Sequence, residues 1–198
     1  MKLQKLFFAA VIVLSANAAL AQNDTNEDFH TVTINIPEVA LLDLESDSGK
    51  NITLAGTIGT NLAGNSEAGL PIDFSTATDA TIWINYSSIV GSSEPSRKVS
   101  VQITDGAVPT GLKLTVLASD DAGNGGGTMG NATAIVTLTG SPQDIITGVE
   151  SAYTGDGANN GHNLTYQLDY ATDAATDYAS LDFDESDVLE ITYTLSDL

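Results

Sequence analysis

The chain contains no cysteine, and this absence removes two common ways of stabilising a fold. Without thiols, neither disulfide bonds nor thiolate metal sites can form, so packing and hydrogen bonds must supply the stability. A disulfide scaffold is therefore excluded. The length of 198 residues is sufficient for one domain with a buried core.

Positive charge is also scarce, because six lysine and arginine residues face 26 aspartate and glutamate residues. Nucleic acids and anionic lipid surfaces are bound by clustered basic side chains that release counterions, and this chain has no such cluster. Both classes of partner are therefore predicted to be absent. We interpret the acidity as a solvated exterior that keeps the protein soluble, in preference to a dedicated cation-binding surface.

Long apolar runs are absent except near the N-terminus. Lys2 and Lys5 precede the apolar residues 6–14, and small residues follow up to the triplet Ala19-Leu20-Ala21. This pattern predicts a secretory signal peptide over residues 1–21, with cleavage before Gln22, because the apolar core is shorter than the roughly 20 residues that span a bilayer. We expect an exported protein of the periplasm, the cell surface or the medium, without direct membrane insertion after cleavage.

Beyond the predicted signal, residues 22–28 are polar and acidic without periodicity, which predicts a flexible leader. Residues 29–198 are predicted to form a single domain. Its opening stretch, residues 30–36, places Val32, Ile34 and Ile36 on one side and polar residues on the other, which predicts a strand. We expect this strand to pair within its own domain, with donation to a neighbouring copy as the alternative.

The same two-residue period recurs in six further rows, at residues 82–86, 99–103, 112–116, 134–138, 164–170 and 189–195. Shorter candidate strands lie at residues 51–55, 72–75 and 144–149, and only residues 171–178 have a pattern compatible with a helical turn. Strands with one apolar face each must cover those faces. The prediction is therefore an all-β, antiparallel β-sandwich of about 7–10 strands, with immunoglobulin-like, jelly-roll-like and pilin-like orders left open.

Catalytic residue types are few, since the only histidines are His30 and His162. Ser66 lacks the complete glycine pattern of a nucleophile elbow and is interpreted as a loop residue. Asp182 and Asp184 resemble a glycosidase pair only in spacing, and carboxylates near a turn are more often solvated. We predict no catalytic residue and no enzymatic activity.

Two binding motifs are incomplete. Gly125, Gly127 and Gly130 match a dinucleotide-binding fingerprint, but a predicted strand follows them in place of the required helix. Acidic stretches, for example residues 182–187, offer oxygen ligands for calcium, yet Ala158 interrupts the one loop that approaches an EF-hand pattern. We predict no cofactor and no metal ligand. Trp83, in the row at residues 82–86, is interpreted as buried between sheet faces in preference to a sugar-stacking surface.

The predicted signal, the acidic leader and the apolar rows at residues 30–36 and 188–195 carry an overall resemblance. The chain resembles exported β-sandwich surface proteins of Gram-negative bacteria, including fimbrial subunits and adhesins. It lacks the cysteine pair and the glycine near the C-terminal end that chaperone-usher subunits often have, so the resemblance assigns no functional residue.

Together these observations favour a non-catalytic, secreted or cell-surface structural or adhesive protein. Its expected partners are other surface or fimbrial-type subunits of an extracellular assembly. A carbohydrate-binding or calcium-binding module is the first alternative, and a secreted hydrolase is the second.

Overall fold

The structure is a computed structural model that describes residues 26–185 and 187–198. This described part forms nine β-strands, a one-turn α-helix and a short 3-10 helix. The strands are β1 (Val39–Glu45), β2 (Thr78–Ile89), β3 (Arg97–Asp105), β4 (Leu112–Asp121), β5 (Gly126–Ala132), β6 (Val136–Thr137), β7 (Gln143–Tyr153), β8 (His162–Tyr170) and β9 (Glu190–Asp197). The helix α1 (Ala174–Asp177) and the 3-10 helix (Tyr178–Ser180) lie between β8 and β9.

By its internal contacts the chain divides into two units, Met1–Asn35 and Ile36–Leu198. The predicted signal peptide, residues 1–21, lies outside the described residues, as do residues 22–25 of the leader. None of the helices in the described residues has the length and apolar character that a transmembrane span requires.

All the strands of the second unit pair in antiparallel fashion, which confirms the predicted class. The main path of the sheet is β6-β4-β8-β2-β7-β3-β9, while β1 pairs with β2 and β5 pairs with β7. Strand β2 is long enough to have three partners, because it pairs with β8 along its first half and with β1 along its second. It reaches β7 only through Ser87 and Ser88.

Most of the apolar side chains of these strands meet in one hydrophobic cluster, and Tyr170 packs in a smaller second cluster with Phe74 and Ala77. Burying each such side chain stabilises the fold by about 1.5–3 kcal/mol, so the first cluster supplies most of the stability. Its buried members are Ile82, Ile84, Tyr86, Val99, Val101, Ile103, Leu114, Val116, Ala118, Val136, Leu138, Ile145, Ile146, Val149, Leu164, Tyr166 and Tyr193. All six rows predicted from the period of two contribute to it. The sandwich packing of the sheet stays a prediction.

The predicted opening strand is wrong. Residues 29–36, which we call the arm, form no strand pair with any described residue, and the first described strand is β1 at Val39–Glu45. The arm's apolar side chains are exposed, with Val32 at 68%, Ile34 at 81% and Ile36 at 75% of their full accessibility. Alternation makes a segment suited to a strand but does not supply a neighbouring strand, and Pro37 removes one backbone donor just after the arm.

Other boundaries also differ from the prediction. Residues 51–55 form no strand, although Ile52 and Leu54 pack against the core, and Asp73 takes part only in an isolated bridge with Thr57. The glycine-rich segment that was expected to be a loop contains β5. It lies so close to β7 that a Cβ atom at Gly127 would stand 2.1 Å from the carbonyl oxygen of Ser151, so only glycine fits there.

A buried arginine fastens the beginning of β1 to the end of β9. Arg97 is only 2% exposed, and its guanidinium forms ion pairs with Glu38 and with Asp197, the latter at 2.8 Å from Nε to Oδ1. It also donates to the carbonyl oxygens of Val39 and Ile89. Because the fork of the guanidinium donates in several directions at once, one side chain fixes three strand ends.

Candidate functional site

Two adjoining cavities open where β2 meets β7. The first has a volume of about 320 Å³ and the second about 510 Å³, and both are lined by Ser87 and Tyr153. These two residues face each other in the β2–β7 register. The first cavity is also lined by Leu41, Leu42, Asp43, Asn85, Tyr86, Gly155 and Asp156. The second is also lined by Val39, Ser88, Ile89, Gly126, Gly127, Ser151 and Ala152.

Strand alternation places the polar groups of the first cavity. Ile84 and Tyr86 on β2 face the hydrophobic cluster, so Asn85 and Ser87 project from the opposite face. Asp43 lies directly across from Asn85 in the β1–β2 register and therefore shares that face. An amide, a hydroxyl and a carboxylate thus lie close together on one side of the sheet.

The loop after β7 covers Asn85. The Nδ2 atom of Asn85 donates to the carbonyl oxygen of Asn160 at 2.7 Å. The loop can approach this closely because residue 161 is glycine: a Cβ atom there would stand 2.2 Å from the carbonyl oxygen of Ile84, and its φ of 67° is in the left-handed region. The same loop carries Asp156 to the wall of the cavity.

Asn85 has an unsatisfied acceptor. Its side chain is only 5% exposed, and its Oδ1 atom has no hydrogen-bond partner among residues 26–185 and 187–198. An unpaired buried acceptor costs about 1–3 kcal/mol, which a bound donor can recover. The oxygen itself is buried, so a ligand or water with an O–H or N–H group would satisfy it only after a small shift of the side chain or of the covering loop.

Tyr153 stands between the two cavities with 59% of its surface exposed. Its ring lies against the backbone of Gly126, where a Cβ atom would be only 3.1 Å from Cε1 of the tyrosine. Glycine at this position therefore allows β5 to support the ring. The result is an aromatic surface held in place on one side and open to solvent on another.

The electrostatics of the site are acidic. The Nζ atom of Lys50 lies 2.9 Å from Oδ1 of Asp43, and this hydrogen bond lowers the pKa of the Asp43 carboxyl below its usual value. Asp156 adds a second carboxylate to the wall. In the described residues, neither cavity is lined by a lysine or an arginine. The first cavity therefore presents acceptors and carboxylates, whereas the second is lined by apolar residues, glycines and serines.

A buried polar network around His162 and Tyr86 adjoins the first cavity. Tyr86 lines that cavity, whereas His162 lines neither cavity. His162 is fully buried, with Nδ1 2.8 Å from the carbonyl oxygen of Ser119 and Nε2 2.7 Å from Oη of Tyr86. The Tyr86 hydroxyl also bonds to the carbonyl oxygen of Met129. Burial, followed by the charge of Asp121, raises the pKa of Tyr86 well above its usual value. These bonds tie β2, β4, β5 and β8 together.

The acidic stretch considered for calcium at residues 182–187 forms hydrogen bonds with backbone groups in the structure. Asp184 donates its backbone N–H to Asp182, whereas Glu185 and Asp187 accept from the backbone of Thr110 and Ala107. Within the described part of the chain, no three carboxylate or imidazole groups converge as a metal cluster would require. The loop that approaches an EF-hand instead bonds internally, since Asn160 Nδ2 donates to the carbonyl oxygen of Asp156.

The remaining predicted residues do not come together. Ser66 lies in a turn-rich segment and forms an isolated bridge with Thr60, while His30 lies in the arm. Trp83 is half-buried on the same face of β2 as Asn85, so it is less buried than the sequence interpretation expects. Sequence reasoning missed Tyr153 and Asn85. The sequence signal that could have indicated this site was Tyr153, an aromatic residue two positions before the glycine-rich residues 155–161.

Comparison of the chain with protein-family models, with curated proteins and with solved structures finds no match.

Proposed function

We propose that the protein is a non-catalytic, cell-surface structural or adhesive subunit that assembles by adding its arm as a strand to the sheet of another copy. The observation that carries this proposal is the row of Val32, Ile34 and Ile36, which is exposed and has no strand partner among the described residues although it alternates like a strand. Strand addition supplies main-chain hydrogen bonds for affinity and pockets for alternate side chains.

The composition of the arm supports association. In a chain with 26 acidic residues, residues 29–36 contain none, so the arm adds no like-charge repulsion when it approaches an acidic neighbour. Exposed aligned apolar side chains are unusual on a protein that stays alone in solution, and covering them is favourable by roughly 25 cal/mol per Å². Phe29, at the start of the arm, is a further exposed apolar side chain, on the other side of the alternation.

The receiving edge that fits best is β9. In the part of the chain that the structure describes, β9 pairs only with β3, so its other backbone edge has no strand partner, although β1 lies nearby. Ile191, Tyr193 and Leu195 point toward the core, and both Ile191 and Leu195 remain half-buried. A strand placed beside β9 would extend this apolar row and cover what β9 leaves exposed.

The proposal includes export, because an arm that follows a cleaved signal peptide would be close to the new N-terminus and free to reach a neighbour. The acidic, cysteine-free composition is compatible with this placement, because stability does not depend on disulfide formation in any compartment.

The test is the oligomeric state of residues 22–198, measured by size-exclusion chromatography with light scattering over a wide concentration range. We expect concentration-dependent oligomers for the wild type and monomers for Ile34→Asp, which places a charge in the apolar row. The matched control is Thr33→Asp, which adds the same charge one residue away on the polar side and should retain oligomers. A synthetic peptide of residues 29–36 should compete with assembly.

A wild type that remains monomeric at high concentration would overturn the assembly proposal. Equal loss of oligomers in Ile34→Asp and Thr33→Asp would show that charge, and not the apolar row, controls association, which also contradicts strand addition.

A further inference from the structure

We propose that the two cavities on either side of Tyr153 form a binding site for a neutral carbohydrate. The site lies in the unit Ile36–Leu198, uses no residue of the arm, and is independent of the assembly proposed above. Four features carry the inference: an unsatisfied buried acceptor, a supported aromatic ring, polar side chains in the wall of the first cavity, and two adjoining spaces.

The acceptor is Oδ1 of Asn85, which no described group satisfies. Asp43 and Asp156 add carboxylate oxygens, and Ser87 adds a hydroxyl that can donate or accept. A ligand suited to these walls must supply several O–H donors from a small volume. Sugars have this chemistry, because adjacent ring carbons each carry a hydroxyl group.

The aromatic surface is Tyr153. A pyranose ring has an apolar side of C–H groups, and such a side packs on an aromatic ring while the hydroxyl groups remain free for hydrogen bonds. Support from Gly126 holds the tyrosine ring before a ligand arrives, which lowers the entropy cost of binding. Tyr153 is thus a positioned stacking surface in place of a mobile exposed side chain.

Charge narrows the ligand class to neutral sugars. No basic side chain among the described residues lines either cavity, and the carboxylate of Asp156 would repel uronic acids, sialic acids and sugar phosphates, whereas that of Asp43 is paired with Lys50. The strongly acidic chain adds long-range repulsion of the same sign. Neutral hexoses avoid this cost while still satisfying Asn85.

The dimensions favour more than one sugar unit. The first cavity, of about 320 Å³, lies at the lower end of the range of small-molecule sites. The second cavity, of about 510 Å³, shares Ser87 and Tyr153 with the first. A short oligosaccharide can therefore place one unit beside Asn85 and a second unit on the other side of Tyr153.

The test is isothermal titration calorimetry of residues 22–198 with maltotriose, cellotriose, mannotriose and chitotriose, and with trigalacturonate as the anionic comparison. We expect at least one neutral trisaccharide to bind with a Kd on the order of millimolar or tighter, and no binding of trigalacturonate. Tyr153→Ala should weaken that binding by about tenfold or more, whereas Tyr153→Phe should retain it, because the ring supplies the contact.

The matched control is Tyr178→Ala, which removes another exposed tyrosine at a distant position in the sequence, in the 3-10 helix, and should leave affinity unchanged. Thermal melts of each variant establish that it is folded. The proposal is overturned if no neutral trisaccharide binds at about 10 mM, if trigalacturonate binds as well as the neutral probes, or if a folded Tyr153→Ala binds like the wild type. Because Ile34→Asp leaves these cavities intact, it should bind sugar normally, which separates failure of this proposal from failure of the assembly proposal.

Discussion

The arm at residues 29–36 and the closing strand β9 have the same alternation of apolar and polar side chains but opposite environments. In β9, Tyr193 is buried and the strand is paired with β3 along its length. In the arm, Ile34 is almost fully exposed and no described strand pairs with it. The difference lies in what stands beside each segment, since β9 is fastened at its end by Arg97 and bonded to Tyr166 by its own tyrosine.

The comparison separates the capacity to form a strand from the placement of a strand. An alternating segment gains stability only when another segment covers its apolar side and pairs with its backbone. The arm therefore has a sequence suited to a strand but no described partner, and one edge of β9 has no partner strand. Because the arm has an exposed apolar row and β9 has an edge without a partner strand, we propose that these two segments join in the assembly.

The largest expected effect in this comparison is that of Tyr193→Ala in β9. Removing this buried ring should lower the free energy of unfolding by about 3–5 kcal/mol, because a cavity forms in the core and the Tyr166 hydroxyl loses the partner that lies 2.7 Å away. Urea denaturation followed by circular dichroism measures the change. The control is Thr194→Ala at the next, exposed position, which should cost less than about 1 kcal/mol. Equal effects at the two positions would contradict the burial of this row.

The core was predictable from the sequence because burial on one side of a strand leaves a periodic trace. The apolar rows at residues 82–86 and 99–103 lie in the hydrophobic cluster, as do Leu114 and Val116. The arm shows the limit of this logic, since its row has the same trace without a partner. Strand β5 shows the opposite limit: glycines selected by the close approach to β7 carry no apolar pattern, so the segment looked like a loop.

The candidate site was less accessible to sequence reasoning because it depends on the strand order. Asn85 and Asp43 are brought together by the β1–β2 register, and β1 was not predicted as a strand. Tyr153 gains its supported position only because β5 pairs with β7. The acidic stretches are conspicuous in the sequence, yet Glu185 and Asp187 accept hydrogen bonds from the backbone of residues 107–110.

High pH should sharpen the contrast by acting on β9 and not on the arm, which contains no tyrosine. Burial raises the pKa of Tyr166 to about 12 and that of Tyr193 well above its usual value. In the unfolded chain tyrosine ionises near pH 10, so the folded state holds these protons more tightly. The corresponding stability is fully present below about pH 10 and is lost as the pH rises through about 12.

We therefore expect the free energy of unfolding to fall by about 2–3 kcal/mol between pH 9 and pH 11. Urea denaturation at each pH, with tyrosinate absorbance as a second signal, measures this change. The control is the double variant Tyr166→Phe with Tyr193→Phe, whose stability should depend less on pH in this interval. A wild type with the same alkaline dependence as the double variant would contradict the burial of this tyrosine pair.

The smallest expected effect is that of Ile34→Ala on the stability of the monomer. Because the side chain is exposed and the arm has no strand partner among the described residues, its removal should change the free energy of unfolding by no more than about 0.5 kcal/mol at low micromolar concentration. The matched control is Ile146→Ala, the same substitution at a fully buried position of β7, which should cost about 2–5 kcal/mol.

Measurements at different protein concentrations then distinguish an arm that makes no contacts from an arm that takes part in assembly. If the arm adds to β9 of another copy, Ile34→Ala should shift the oligomer midpoint to higher concentration while leaving the monomer's stability unchanged, because the lost contact exists only between copies. Denaturation at two concentrations, together with light scattering, measures both effects on one sample. A loss of about 2 kcal/mol or more in the dilute monomer would mean that Ile34 packs within its own chain, and the contrast between the arm and β9 would then be wrong.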